Sequence, residues 1–267
     1  MQGIEARVEM NLSFSDETFS RKVSEICQKE IPAEELVGVL FHGSRDCAEA
    51  NLDSDWDLAI ILRKKNPVSL LKLGEIFRTQ EVPSACFPRI LFLSEMPQNA
   101  DFYSQNTNGS FFAWHMRTAT VLYGENPFDK MVGPSPYQLA LSLWQKSQQY
   151  TGEARKAILR SSFTEKECTK LFKNVLKTMK DLMMLNGRYC KTKSQCLSSF
   201  MDKFVGVLDE EDFSLMTRSI DAQCTVRDND MNKACMRLWK IQESVYSLFL
   251  DEIKTKLKVD FLTSNDL

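Results

Sequence analysis

The sequence predicts an α/β (α+β) domain with a small mixed sheet, followed by an all-α helical bundle domain. Three observations carry that expectation. Before about residue 130 the apolar runs are strand-sized and alternate with short helical patterns. After residue 136 apolar residues recur at helical spacing over long stretches. Between the halves lies Met131-Val132-Gly133-Pro134-Ser135-Pro136, rich in residues that interrupt both patterns. The expected domains are residues 1–134 and 135–267.

The elements follow in order. Ser15-Asp16 opens a helical pattern that runs to about Lys29, with Phe19, Val23 and Ile26 at helical spacing and Pro32 just beyond. Leu36 to Phe41 reads as a buried strand ending at Gly43-Ser44. A short helix over residues 45–50 is expected next, then a second strand over Trp56–Leu62, closed by Arg63-Lys64-Lys65-Asn66-Pro67. Leu70, Leu71, Leu73, Ile76 and Phe77 place a helix over Ser69–Thr79. A third strand, Arg89–Leu93, is bounded by Pro88 and Pro97, and an ordered segment over Ala113–Tyr123 stops at Gly124-Glu125-Asn126-Pro127.

In the second half, Tyr137–Arg160 forms one or two helices, and Thr164–Asn186, Ser194–Leu208 and Asn232–Leu257 one each. Leu171, Phe172, Val175, Leu176, Met179, Leu182 and Met183 fall on one face of the Thr164 helix, and Lys170, Lys173, Lys177 and Lys180 on the other. Gly187 stands where a terminating glycine belongs. The stripe Leu238, Ile241, Val245, Leu248, Phe249 in the last helix reads as core, with a homodimer surface as the alternative.

Composition excludes several classes. No apolar run approaches the roughly 18 residues of a membrane span, and Glu5, Arg7 and Glu9 leave no apolar region for a signal peptide. Eight cysteines without a CxxC pair fit reduced thiols, and a cytoplasmic location is expected. Only two histidines, His42 and His115, argue against a Cys/His zinc site; both read as packing residues, His42 facing away from the site. No P-loop, HExxH or GxSxG elbow is present. A net charge of -2 and the absence of interleaved aromatic and basic residues argue against nucleic acid as partner.

The chemistry concentrates between Gly38 and Leu62. One apolar strand runs into Gly43-Ser44, ten residues follow (Arg45 to Ser54), and Asp55-Trp56-Asp57 opens a second apolar strand. Strand side chains alternate, so Asp55 and Asp57 point one way and Trp56 and Leu58 the other. Two adjacent carboxylates resist joint ionisation unless a cation sits between them. Mg²⁺ suits that place, taking one or two carboxylates plus phosphate oxygens. Gly43 lets backbone N–H groups approach a phosphate, and Ser44 adds a hydroxyl donor. Asp53 is read as a turn residue. From Lys146 to Lys193 there are twelve Lys or Arg against four Asp or Glu, a solvated face or a wall for an anionic ligand.

The Gly-Ser, ten residues, Asp-x-Asp arrangement resembles the signature of the nucleotidyltransferase superfamily typified by DNA polymerase beta. Within it, the chain is most similar to the minimal and antibiotic-modifying branches, such as kanamycin and streptomycin nucleotidyltransferases. The resemblance is sharp over residues 36–62 and softer at Val121-Leu122-Tyr123-Gly124; the helical half resembles the accessory domain of those enzymes. It implies that Gly43 and Ser44 hold the β- and γ-phosphates and that Asp55 and Asp57 bind Mg²⁺ or Mn²⁺. An acceptor hydroxyl would attack the α-phosphate of a nucleoside triphosphate, with ATP as donor, AMP transferred and pyrophosphate released. The acceptor implied is a small molecule of aminoglycoside or lincosamide type, or a partner protein.

The family carries a third carboxylate on a later strand, and the stretch 87–93 has none. Glu95, just past it, is the candidate third catalytic residue, unless the helical half lends one. The family also uses a lysine of its helical domain at the nucleotide, for which Lys173 and Lys177 are candidates. The rival from another class is a non-catalytic nucleotide-binding or partner-binding module of the same fold, which the missing third carboxylate favours.

Overall fold

The apolar run Leu36–His42 forms β1, an inner strand of a four-stranded sheet and its organising element. A computed structural model describes residues 16–43, 56–78, 86, 88–100, 116–159, 163–190, 192–222, 225–228 and 230–259. The chain divides into two compact units, Met1–Gly133 and Pro134–Leu267. The expected helix over 45–50 and the start of the 113–123 segment lie outside the described residues.

In the first unit, α1 (Asp16–Glu30) precedes β1, and β2 (Asp57–Leu62) is followed by α2 (Pro67–Ile76) and β3 (Arg89–Phe92). A 3₁₀ turn, Leu93–Glu95, closes β3, and β4 (Thr120–Gly124) completes the sheet. The strand order is β3-β2-β1-β4. β1 pairs antiparallel with β2 and β4, whereas β2 and β3 run parallel, joined through α2. The sheet is therefore mixed, as expected.

Alternation sorts the strand residues onto two faces. Leu36, Val39, Phe41, Leu58, Ile60 and Leu62 pack against Phe19, Val23 and Cys27 of α1 and Leu73 and Ile76 of α2. Leu40, Ala59 and Ile61 face the other way, towards Met116, Ala119, Phe128 and Met131. Trp56, 1% exposed, joins the helix-covered face, its ring centroid 3.9 Å from that of Phe19. β1 meets β4 closely at Gly124, whose φ of +70° and whose position over the Val37 carbonyl exclude a side chain.

The N-terminus of α2 is set by Asn66, which accepts from the Val68 N–H while its amide donates to Glu35 (2.7 Å). Ser69 donates to the other Glu35 oxygen at 2.5 Å, and together these bonds hold the Glu35 carboxyl below its usual range. The helix begins two residues earlier than Ser69 and ends at Ile76, because Pro67 occupies the first turn where its missing N–H costs nothing.

The second unit is entirely helical: α3 (Pro136–Ile158), α4 (Glu165–Leu185), α5 (Lys193–Lys203), α6 (Glu210–Asp221) and α7 (Met231–Leu257). The first of these is a single helix over Pro136–Ile158. The Ser194 helix stops at Lys203, and a further helix, α6, follows it where no helix was expected. Its start is nonetheless written locally, with Asp209 capping the Asp212 N–H at 2.7 Å and acids filling the first turn. Thr164 and Glu167 form a reciprocal capping box on α4, and Gly187, φ +76°, ends that helix with Arg188 N–H donating to Met183 O.

α3, α4 and α7 pack on one another around the stripe of Leu171, Phe172, Val175, Met179, Leu238, Ile241, Val245 and Phe249, all buried. Inside this apolar seam Gln242 donates to Thr151 Oγ1 (2.8 Å) and Thr178 Oγ1 (2.9 Å). Each hydroxyl donates in turn to the carbonyl four residues earlier, so each is left to accept. Asp181, 3% exposed, accepts from Ser147 Oγ at 3.4 Å. Six cysteines are buried free thiols; Cys47 and Cys224 lie outside the described residues. No described helix is long and apolar enough to cross a membrane.

Candidate functional site

The end of the β1–β2 ladder holds the chemistry-bearing residues. β1 finishes at His42, which is the register partner of Asp57, the first residue of β2. Gly43 follows with φ +84°, in the left-handed region that favours glycine. A Cβ on Gly43 would stand 2.9 Å from Asp57 Cγ and 3.0 Å from Asp57 Cβ. The Asp57 carboxylate therefore lies directly against the backbone of the β1 exit. Glycine is required there twice over, for its dihedral angle and for the close approach. Trp56, fixed in the aromatic cluster with Phe19 and Phe41, holds β2 so that Asp57 emerges on the opposite face.

Antiparallel partners share a face, so His42 stands on the side of Asp57. This corrects the expectation that His42 points away from the site. Burial and the positive charge of Arg89 depress its imidazole to about 4, so the ring is neutral near pH 7.

The parallel β2–β3 register pairs Ala59 with Arg89 and Leu62 with Phe92. Arg89 thus shares the face of Ala59 and Asp57, one pair along. Glu95 follows Phe92, beside the end of β2 farthest from Asp57. The five residues separating Asp57 from Leu62 span about 16 Å of strand, and Glu95 lies past that, ion-paired with Lys65. Glu95 is not brought to the carboxylate edge: the parallel direction of β3 carries its C-terminal end away. Its replacement in Glu95→Gln is expected to leave nucleotide binding and any transfer rate within about twofold of wild type, since an exposed ion pair contributes little. A tenfold loss in a labelled-ATP assay would return Glu95 to the site.

Ser44, Asp53, Asp55 and His115 lie outside the described residues. Among the described residues no group of three or more His, Cys, Asp or Glu side chains could hold a metal ion. Asp57 supplies one hard oxygen ligand of the kind Mg²⁺ selects, while Arg89 adds positive charge on the same face. Lys173 and Lys177 belong to the second unit. Lys173 and Lys177 are exposed on α4, and Lys177 lies over the Tyr150 ring at 5.3 Å. Lys170 pairs with Glu153 at 3.1 Å, and Lys180 lies over Tyr189. Much of the lysine stripe is thus engaged within its own unit.

Sequence reasoning missed Arg89 and the facing of His42. The signal was present: β2, a helix and β3 in succession form a crossover whose strands run parallel. Parallel alignment puts the start of β3, not its end, near the start of β2.

No family model and no curated protein matches the sequence. Among solved structures the chain is similar to a spectinomycin adenyltransferase from Enterococcus faecialis, determined with ATP and spectinomycin. The TM-score is 0.53, with 12% sequence identity, and the match covers 87% of this chain and 97% of that one. The two share a fold: a small mixed sheet with helices followed by a helical region.

Proposed function

We propose that this chain is a nucleotidyltransferase that moves a nucleoside monophosphate, AMP from ATP, onto a hydroxyl acceptor with release of pyrophosphate. The observation that carries the reading is the seating of the Asp57 carboxylate against the positive-φ glycine where β1 ends. That junction gives a backbone able to approach phosphate and a hard oxygen ligand for a divalent cation in one place. Ser44 and Asp55, adjoining it in sequence, would complete the phosphate cradle and the metal pair. Asp57, with Asp55, would hold Mg²⁺ or Mn²⁺, which when bound supplies charge neutralisation at the phosphates. The rest of the catalysis would be positioning of the triphosphate and of the acceptor hydroxyl.

The fold likeness supports a small-molecule acceptor, because the similar protein was solved with spectinomycin as well as ATP. A protein hydroxyl is the second acceptor class. Lys173 and Lys177 are proposed as nucleotide contacts from the helical unit, and the cytoplasm as the site of action.

A second reading, a nucleotide-binding module without turnover, is favoured by one specific observation: the described β3 brings a cation, Arg89, and no carboxylate to the Asp57 face.

Calorimetry with each nucleoside triphosphate and Mg²⁺, on wild type and on Asp55→Asn/Asp57→Asn, tests the site. Metal-dependent binding that the double variant loses is the expected result, followed by a labelled-ATP acceptor screen. An absence of binding to every triphosphate sinks both readings; binding without transfer to any acceptor class selects the second.

A further inference from the structure

The third strand of the sheet contributes charge to this site, and the charge is positive. β3 comprises Arg89, Ile90, Leu91 and Phe92. Ile90 and Phe92 pack on the helix-covered face, and Leu91 on the face of Ala59 and Ile61. Arg89 shares the face of Leu91 by alternation and is the register partner of Ala59. Asp57 lies two residues before Ala59 on the same face. Neighbouring strands are about 4.8 Å apart and two residues of strand span about 6.6 Å, so the two Cα atoms lie on the order of 8 Å apart. An arginine side chain spans that distance.

Arg89 is exposed, at the start of an edge strand, so its side chain carries no core packing. Its charge is nonetheless felt at His42, two strands away, beside the positive-φ glycine. A guanidinium presents a planar fork of N–H donors that matches two phosphate oxygens at once, and it stays charged at every working pH.

We propose that Arg89 is the phosphate-gripping residue of this site, binding the polyphosphate of a nucleoside triphosphate from the third strand while Asp57 acts from the second. The proposal rests on the reading that the Gly43–Asp57 junction takes a nucleoside triphosphate, and it names the side chain that does the holding. Two consequences distinguish it. The contact is to phosphate, so it is indifferent to the base. It is also direct, so it operates with or without a divalent cation.

The test is equilibrium binding of ATP, of inorganic tripolyphosphate and of adenosine to full-length wild type, Arg89→Lys and Arg89→Gln, in Mg²⁺ and in EDTA. Circular dichroism melting confirms that each variant is folded, which the exposed edge position favours. Arg89→Gln is expected to weaken ATP and tripolyphosphate by about 10- to 100-fold, the range for losing hydrogen bonds from a charged group. That factor should be the same in Mg²⁺ and EDTA. Adenosine binding should not change, and Arg89→Lys should recover part of the loss.

ATP and tripolyphosphate binding within twofold of wild type in Arg89→Gln overturns the proposal while leaving the nucleotide reading intact. An equal loss for adenosine overturns it as well, since that marks a disturbed site instead of a phosphate contact. Failure of wild type to bind any triphosphate overturns the nucleotide reading, and the proposal with it.

Discussion

Gly43→Ala is expected to remove Mg²⁺-dependent nucleotide binding, with affinity falling about 100-fold, the upper end for displacing the shell that orients a metal ligand. Two independent features converge on that residue. Its φ of +84° is one that an alanine reaches only with strain of about 1–3 kcal/mol. Its missing Cβ is the space into which Asp57 leans, 2.9 Å from Cγ. Asp57 has a short side chain on a paired strand, so it cannot rotate far; either the carboxylate turns away or the β1 exit shifts. Both outcomes part the phosphate cradle from the metal ligand. The sheet itself should survive, because the β1–β2 ladder from Leu36 to Phe41 is built of buried apolar residues below this point. Calorimetry with MgATP alongside a thermal melt separates the two effects. A folded Gly43→Ala protein that binds MgATP within threefold of wild type would show that the junction is only a turn.

The helical unit should lose stability as the pH rises from about 5 to about 7. Burial pushes the Asp181 carboxyl up to about 7, against opposing pulls from Lys146, Ser147, Lys180 and Lys177. A group whose pKa is raised on folding contributes stability that is fully present below its unfolded value, near 4, and is lost as the pH climbs through the folded value. Lys146 has the opposite sign: burial lowers it to about 8, so its contribution grows as the pH rises from about 8 to above 10. The glutamates held low by hydrogen bonds, Glu35, Glu125 and Glu153, act only at the acid end, where their contribution is lost as the pH falls. Two further groups of the unit act near this window: Asp212, raised by burial, has the sign of Asp181, while Cys190, lowered to about 6 chiefly by its hydrogen bond with Cys196, adds stability as the pH rises above 6, so the Asp181 share is read as the difference between wild type and Asp181→Asn. Hydrogen exchange of α4 amides, read at pH 5, 6 and 7 after correction for intrinsic rates, should show protection falling in wild type. Asp181→Asn keeps the oxygen that accepts from Ser147 and should flatten the trend. An equal slope in both proteins would assign it elsewhere.

What the sequence made legible, and what it did not, divides along the range of the interactions involved. The Gly43–Asp57 junction could be read because its parts are local: an apolar strand ending in glycine, and an alternation that fixes Asp57 opposite Trp56 and Leu58. The capping of α4 by Thr164 and its termination at Gly187 are local in the same way. Glu95 and Arg89 depended on which end of β3 meets the start of β2, a pairing between strands separated by a helix. Distance along the chain made Glu95 look close to the carboxylates; strand direction puts Arg89 there. His42 was misjudged for a related reason, since its facing follows from its partner across the ladder and not from its own neighbours. The missed α6 is different. Its run Asp209-Glu210-Glu211-Asp212 resembles a solvated acidic loop until the capping geometry is seen, and Arg237 of α7 then pairs with three of those acids.

The bond set around Gln242 has a consequence for how the helical unit finds its alignment. Leucine, valine and methionine stripes are nearly interchangeable from one turn to the next, so α3, α4 and α7 could slide past one another by a turn and still bury oil against oil. The amide of Gln242 removes that freedom. A slip of α7 by one turn, 5.4 Å, would strand the amide in hydrocarbon with neither threonine oxygen in reach, and a slip of α3 or α4 would break one of its two bonds. The layer works as a detent, like the notch that lets a sliding rod stop in one place, and it gives an otherwise greasy seam a single registration.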